Sequence, residues 1–480
     1  MMEAKLEIAP DHLYHEVADR IETLIEKQAL KVGDKLLSVR ALSKEQGISL
    51  STAFQAYYYL ESKGLIEARP QSGYYVKFSP HHTFQLPTCC EPANEVLPVT
   101  LDDMITSVYN DLRSTKVISF SVSAPDHSLL PIAKLKKSVM YSLNHEADHC
   151  LGYEHVQGNE TLRKQIARLG FNWGGSLGEQ DVVVTAGCME ALSLSLKAVT
   201  NPGDTVATES PTYYGIFRVM ESLGLNVVEI PADPVTGIDI DYLERAIPKF
   251  KIKACLFVPN FNNPVGSCMP DEKKKQLVNM LAKKEIPLIE DDIYGELYFG
   301  KTRPRTCKSY DKKGLVLHCG SFSKSLAPGY RVGWVVPGRF KEKVISLKRM
   351  NNISTNTLAQ VSIAHFLQNG RYELHLRHLR KALHTQCLNY LQAINELFPT
   401  DTKVTRPLGG FVLWVEMNKK IDGYKLHKRA LKHNIGIAPG QIFSVQGSQF
   451  SNYFRLSYGT PWNYKVENGL KVLGELMGRG

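Results

Sequence analysis

The sequence predicts an α/β protein with a winged helix-turn-helix at its N-terminus, and three observations predict it. From about Val117 onward, short apolar runs of strand character alternate with longer helical segments, the pattern of a mainly parallel sheet with covered faces. Ahead of it, residues 1–78 hold two short helical segments separated by a glycine turn, then two short β runs. Between them, Ser79–Pro98 carries Pro80, Pro87, Pro92 and Pro98 with no periodicity, which is linker composition. The expected division is 1–78 for the helical module, 79–100 for the linker and 101–480 for the large domain.

A chain of 480 residues exceeds what one hydrophobic core serves, and 43% hydrophobic residues are ample for a large one. Met1–Pro10 alternates acidic and apolar residues, and no stretch of about 18 uncharged apolar residues occurs, so the chain is expected in the cytoplasm and off membranes. Nine Cys without repeated Cys-x-x-Cys spacing fit reduced thiols better than a disulfide framework or a zinc site, and no metal is expected. The vicinal pair Cys89–Cys90 leaves a redox role open beside a coincidence of composition. A formal charge of +10 names no partner until it is located. Residues 1–80 carry ten Lys and Arg against eleven Asp and Glu, so the excess lies in the large domain.

In chain order, Asp11 is placed to cap a helix over His12–Ala29, with Leu13, Val17, Ile21, Leu24 and Ile25 on one face. Val32-Gly33-Asp34 makes a turn, Ser38 caps a short helix that breaks at Gly47, and Ser49 caps a third helix, Leu50–Lys63, stopped by Gly64. Leu65–Arg69 and Gly73–Lys77, joined through Pro70-Gln71-Ser72, read as a two-stranded wing.

These residues resemble the GntR family of DNA-binding modules over 13–77, at Gly33-Asp34-Lys35-Leu36, Ser38-Val39-Arg40, Ser49, Thr52, Tyr57, Leu60, Gly64-Leu65-Ile66 and Ser72–Val76. Residues 35–77 carry six basic side chains (Lys35, Arg40, Lys44, Lys63, Arg69, Lys77) against three acidic ones (Glu45, Glu61, Glu67), the sign expected of a surface facing phosphate. The resemblance implies a double-stranded DNA operator as partner, with the Ser49 helix in the major groove. Ser38, Arg40, Ser49, Thr52, Gln55 and Arg69 are the candidate contacts to phosphates or base edges. Leu37 stands where the family usually has Pro, and Leu50 where it usually has Arg, so site specificity does not carry over. A helical interaction module that does not touch DNA is the competing reading. Leu101–Ser114 is expected to form a helix of the large domain.

The strand-like runs are Asp181–Thr185, Thr205–Thr208, Val227–Ile230, Ala254–Val258, Pro287–Glu290, Val316–His318 and Val332–Val336. Ligands of such sheets sit at strand ends, and distinctive loops follow several of these. Gly320–Trp334 sets Lys324 between Ser323 and Ser325 in a loop held by Pro328 and Gly329, with Arg331 seven residues on. An amine, hydroxyls and a guanidinium suit an aldehyde cofactor with a phosphate, pyridoxal 5'-phosphate, with Lys324 forming the Schiff base and Ser321, Ser323 and Arg331 holding phosphate. Taken alone, this stretch is equally well an ordinary polar turn. Gly187-Cys188-Met189 opens a helix just past a strand, aiming the Cys188 and Met189 amides at an anion. Tyr213 is placed to stack on a planar ring, or else to fill core. Asn263, before Pro264, can donate to a phenolic oxygen, though Asn-Pro is also a common turn. Asp291 at a strand end would hold a ring nitrogen protonated, with Tyr294 sharing the phenolic oxygen; Mg²⁺ is the alternative for such a carboxylate.

Order, placement and chemistry of these loops resemble the fold-type I aminotransferases from about Val117 to the C-terminus. That resemblance implies a seven-stranded-type sheet with a smaller C-terminal α+β subdomain. It also implies that Tyr153 in Leu151-Gly152-Tyr153 serves a neighbouring subunit's phosphate in a homodimer, and that Arg455 in Asn452–Ser457 grips a carboxylate. Lys324, Asp291 and Tyr213 would be the catalytic residues. Ser123 stands where the family commonly has Gly, which bears on substrate fit.

The two halves together resemble the MocR family of transcriptional regulators. That implies a cytoplasmic homodimer, domain-swapped if each reader lies over the partner, that senses an amino compound or a vitamin B6 form at the Lys324 site. The opposing expectation is a working aminotransferase with a secondary DNA-binding domain.

Overall fold

The computed structural model describes residues 10–27, 29–62, 64–69, 72–77, 85–92, 94–98, 105 and 117–478. The chain divides into a small unit, residues 1–84 together with Leu388–Glu396, and a large unit that begins at Gln85. Most of the expected helix Leu101–Ser114, the Pro70–Gln71 turn and Ser79–Phe84 lie outside the described residues.

The N-terminal part of the small unit has three helices among the described residues, α1 (Pro10–Glu26), α2 (Val39–Gln46) and α3 (Leu50–Ser62). Two antiparallel strands, β1 (Ile66–Arg69) and β2 (Gly73–Val76), follow them. Asp11 falls within α1, whose described residues already begin at Pro10, one residue ahead of the expected cap. Ser38 caps α2 by accepting from the Ala41 N–H at 3.1 Å, and Gly47 ends it in the left-handed region at φ 62°. The core is built by Tyr14, Val17, Ala18, Ile21 and Ile25 of α1 against Ala53, Ala56, Tyr57 and Leu60 of α3. Leu24, expected on that face, is 45% exposed; Tyr14 and Ala18 take the inner positions, which rotates the buried stripe about the helix axis.

The large unit is organised by a nine-stranded sheet. Along its main path the order is Leu97–Pro98, Asn226–Asp233, Thr205–Ser210, Ile252–Phe257, Leu288–Asp291, Val316–Ser321, Gly333–Val336, Val183–Thr185. All seven expected strands are present. The central pairings are parallel, while Gly333–Val336 runs antiparallel to both neighbours. Burial on both faces explains why these strands read as continuous apolar runs without alternation. The C-terminal part is α+β: an antiparallel sheet ordered Lys403–Val404, Val412–Glu416, Tyr453–Ser457, Ala438–Pro439, with helices Gly423–Leu431 and Tyr464–Gly478.

The proline-rich segment departs from expectation. From Gln85 it belongs to the large unit. The Thr88 N–H donates to Glu416 Oε2 at 2.7 Å, and Leu97–Pro98 pairs antiparallel with Val227 and Asn226 at the sheet edge. Proline is tolerated there because an edge strand leaves one row of its backbone groups unpaired. Among the described residues, no helix is long and apolar enough to cross a membrane.

Candidate functional site

A cavity of about 430 Å³ opens where loops leave the sheet, lined among others by Ser123, Cys188, Met189, Tyr213, Asn263, Asp291, Tyr294, Ser323, Lys324, Arg331 and Arg455. Lys324 sits on the turn after Val316–Ser321, and its Nζ donates to the Ser123 carbonyl oxygen. Burial, reinforced by the Arg455 and Arg331 cations, brings its amine down to about 8, against the opposing pull of Asp291. Asp291 ends the strand Leu288–Asp291 and is buried. It accepts from the Cys188 thiol at 3.3 Å and the Ile293 N–H at 3.2 Å, and burial pushes its carboxyl up to about 6. Raised above an ordinary Asp yet below neutrality, it remains mainly a carboxylate at pH 7.

Three side chains of the same cavity are wired in series. Arg455, 1% exposed, donates through Nη1 to Asn263 Oδ1 at 2.9 Å and through Nη2 to the Ser121 carbonyl. Asn263 Nδ2 donates to Tyr294 Oη at 3.1 Å, and the Ser123 hydroxyl meets the same Oη at 3.1 Å. Burial raises the Tyr294 phenol, which therefore stays protonated and can donate into the cavity.

The cationic end has Arg331, whose Nη1 lies 3.4 Å from Ser323 Oγ, beside the N-terminus of the helix Cys188–Val199. Gly187 precedes that helix at φ 84°, and a Cβ there would stand 2.4 Å from Arg331 Nη2. A Cβ on Gly333 would stand 2.6 Å from the Gly187 carbonyl carbon. Two glycines thus let backbone amides, a hydroxyl and a guanidinium crowd round one small space, the donor set a phosphate monoester needs.

Of the expected cofactor residues, nine are brought to this cavity: Cys188, Met189, Tyr213, Asn263, Asp291, Tyr294, Ser323, Lys324 and Arg331. The expected effector residue Arg455 joins them. Ser321 lies behind the cavity wall; its hydroxyl donates to the Val332 carbonyl at 3.0 Å and meets Ser323 Oγ at 2.8 Å, so it orients Ser323. Tyr153 is 86% exposed and does not line the cavity of its own chain. Sequence reading missed the carbonyls of Ser121 and Ser123, because a backbone acceptor leaves no mark in residue type. It also missed the buried support under Asp291. The next residue, Asp292, bonds Arg303, takes the Asn260 Nδ2 donor at 2.9 Å and sits 3.3 Å from His318 Nε2. Against its burial, the Arg303 guanidinium holds Asp292 well below the usual carboxylate range.

On the small unit, Ser38, Arg40, Ser49, Gln55 and Arg69 are exposed. Thr52 is a correction. It is buried at 9%, its Oγ1 lies 2.8 Å from Ser49 Oγ, and its N–H donates to that oxygen at 3.0 Å, so it closes the helix start and does not reach a base edge. Arg69 Nε donates to Glu67 at 2.9 Å while its guanidinium lies 4.3 Å from the Tyr75 ring centroid.

Comparison with known proteins agrees with both halves. Residues 115–471 match the family "Aminotransferase class I and II", and residues 13–76 match "Bacterial regulatory proteins, gntR family". The Escherichia coli protein named uncharacterized HTH-type transcriptional regulator YjiR is 37% identical over 97% of this chain and 99% of its own. The HTH-type transcriptional regulator NorG of Staphylococcus aureus is 28% identical over 91% of this chain and 98% of its own. Among solved structures, LysN, alpha-aminoadipate aminotransferase from Thermus thermophilus, superposes with a TM-score of 0.73 at 26% identity, covering 80% of this chain and 96% of that one. With both domains matched and the likeness to YjiR running nearly end to end, this chain belongs to the MocR-type HTH transcriptional regulators, a gntR-family DNA-binding module joined to a class I and II aminotransferase domain.

Proposed function

We propose that this regulator holds pyridoxal 5'-phosphate in the Lys324 cavity and that an amine of amino-acid or B6-vitamer type, engaging there, changes its affinity for operator DNA. The observation that carries it is the convergence in one cavity of a lysine with its amine held down to about 8, a buried carboxylate, a phenol–amide–guanidinium series and a helix N-terminus. The fit is tested by the glycine cradle: the space that a Cβ at Gly187 or Gly333 would fill is kept clear beside Arg331 and the Cys188 amide. Support also comes from LysN, whose structure is described as complexed with N-(5'-phosphopyridoxyl)-L-leucine.

When bound, the cofactor supplies an aldehyde that condenses with amines and a ring that accepts electrons. Lys324 would attach it, since at pH 7 about one amine in ten is already neutral for a lysine with this value. Arg331, Ser323 and the amides of Cys188 and Met189 would bind its phosphate. Asp291 would keep a proton on its ring nitrogen, and Tyr294 and Asn263 would donate to its phenolic oxygen. Tyr213 would cover the ring. Arg455, already desolvated, would bind an effector carboxylate in place of its present Asn263 and Ser121 partners, which offers a route from the ligand to the surrounding loops. A homodimer in which Tyr153 reaches the partner's cavity fits its exposure.

Fluorescence anisotropy of the full-length protein on DNA upstream of its own and adjacent genes, with and without pyridoxal 5'-phosphate and candidate amines, tests the reading. Salt-sensitive binding that moves with the ligand is expected; binding indifferent to every vitamer and amine tried would remove the sensing role. A second reading, transamination, is favoured by the completeness of the same set of residues. Steady turnover of an amino acid with 2-oxoglutarate would support it, and a single half-reaction without turnover would support the sensor.

A further inference from the structure

We propose that α3 reads its operator mainly through apolar contacts at A·T steps, with Leu50 and Phe54 against thymine methyl groups and Gln55 on adenine. The inference rests on the DNA-binding role of the small unit and adds which bases that unit selects. The solvent face of α3 is apolar where the GntR resemblance leads one to expect an arginine. Leu50 is 54% exposed, Phe54 53% and Tyr58 57%, and they recur every four residues along one stripe. From Leu50 to Ser62 the helix contains no Lys or Arg. It therefore lacks the bidentate donor for guanine O6 and N7 by which G·C pairs are most often recognised.

The stripe is not surplus from packing the module. Ala53, Ala56, Tyr57 and Leu60 supply the α3 share of the core and are buried, whereas Leu50, Phe54 and Tyr58 stand outside that core with more than half of each side chain exposed. Positive charge stands instead on the flanking segments, where Lys35, Arg40, Lys44 and Arg69 are exposed. Such a division leaves phosphate attraction to the flanks and the helix face to the bases. The major groove matches that face: its apolar feature is the thymine C5-methyl, and a glutamine amide pairs in two places with adenine N6 and N7. Gln55 is exposed next to Phe54, close enough in sequence to share a base step. From Leu50 to Tyr58 the helix axis runs about 12 Å, comparable with the groove's width of about 12 Å, so Tyr58 falls towards the groove edge and its hydroxyl towards phosphate.

The test uses full-length protein saturated with pyridoxal 5'-phosphate, enrichment of bound duplexes from a randomised pool, and anisotropy on the selected sequence. An A·T core is expected. Replacing core thymines by uracil, which removes only the methyl, should weaken binding about three- to fivefold per contacted base. Gln55→Ala should lose about tenfold at adenine steps, and Leu50→Arg should move selection towards G·C. The uracil arm leaves the protein native, so its outcome does not depend on how a variant folds. A G·C core, or indifference to uracil with salt-sensitive binding retained, overturns this inference alone. Loss of self-association in Phe54→Ala with DNA affinity unchanged assigns the stripe to a protein partner and also overturns it. Absence of salt-sensitive binding to any duplex overturns the DNA-binding role along with it.

Discussion

At the scale of single residues, the cavity works by placing charges where water cannot screen them. Lys324 is the sharpest case. Burial and two nearby guanidinium groups, from Arg455 and Arg331, disfavour its protonated form, and the amine falls to about 8 from an ordinary value of 10.5. The sign is definite: the reactive neutral amine gains as pH rises and saturates above the depressed value. Covalent incorporation of pyridoxal 5'-phosphate into cofactor-free protein should therefore quicken about tenfold per unit up to pH 8 and level off beyond it, followed by visible absorbance. Lys324→Ala should show no covalent absorbance at any pH, and a retained covalent band there would remove the lysine from its role. Serine at position 123 departs from the glycine expected by resemblance. Here it is a working member of the site, its carbonyl accepting from Lys324 and its hydroxyl facing Tyr294 at 3.1 Å.

At the scale of elements, strand ends and helix starts decide where these groups point. Leu288–Asp291 delivers its last carboxylate to the cavity, while the next residue, Asp292, turns into a buried cluster with Arg303 and His318 that fixes the direction of the strand end. Gly187 joins strand to helix at φ 84°, which only glycine adopts without strain, and its missing Cβ leaves room for Arg331. Gly187→Ala should cost about 1–2 kcal/mol from the left-handed backbone alone, with displacement of Arg331 added. The expected result is at least about tenfold weaker retention of pyridoxal 5'-phosphate, measured by equilibrium dialysis. Retention equal to wild type would show that the cradle is not used. In the small unit, the pairing of Ser49 with Thr52 shows how a residue type that suits DNA contact can be consumed by a helix cap.

At the scale of the whole molecule, one prediction concerns assembly. Tyr153 is 86% exposed and lies outside the cavity of its own chain, and in the proposed homodimer it would reach the partner's phosphate site. Tyr153→Phe is expected to weaken cofactor retention several-fold while leaving the melting temperature of the cofactor-free protein unchanged. A monomeric wild type that retains cofactor fully, by analytical ultracentrifugation with absorbance detection, would remove the shared-site arrangement.

The sequence by itself determined the architecture and most of the cavity, for a physical reason. Helix caps, glycine turns and buried strands are local consequences of residue type. So are the reactive groups: Lys324, Asp291, Asn263, Tyr294, Arg331 and Arg455 carry chemistry in their side chains and stand at strand ends or inside a strand whose apolar runs are plain. Only the tertiary structure decided the rest. It turned Ser321 and Thr52 inward, supplied the carbonyls of Ser121 and Ser123, fastened the proline-rich segment from Gln85 onto the large unit and left the α3 stripe facing solvent. Those outcomes depend on which atoms non-local packing brings within about 3 Å of one another, a distance that residue order does not encode.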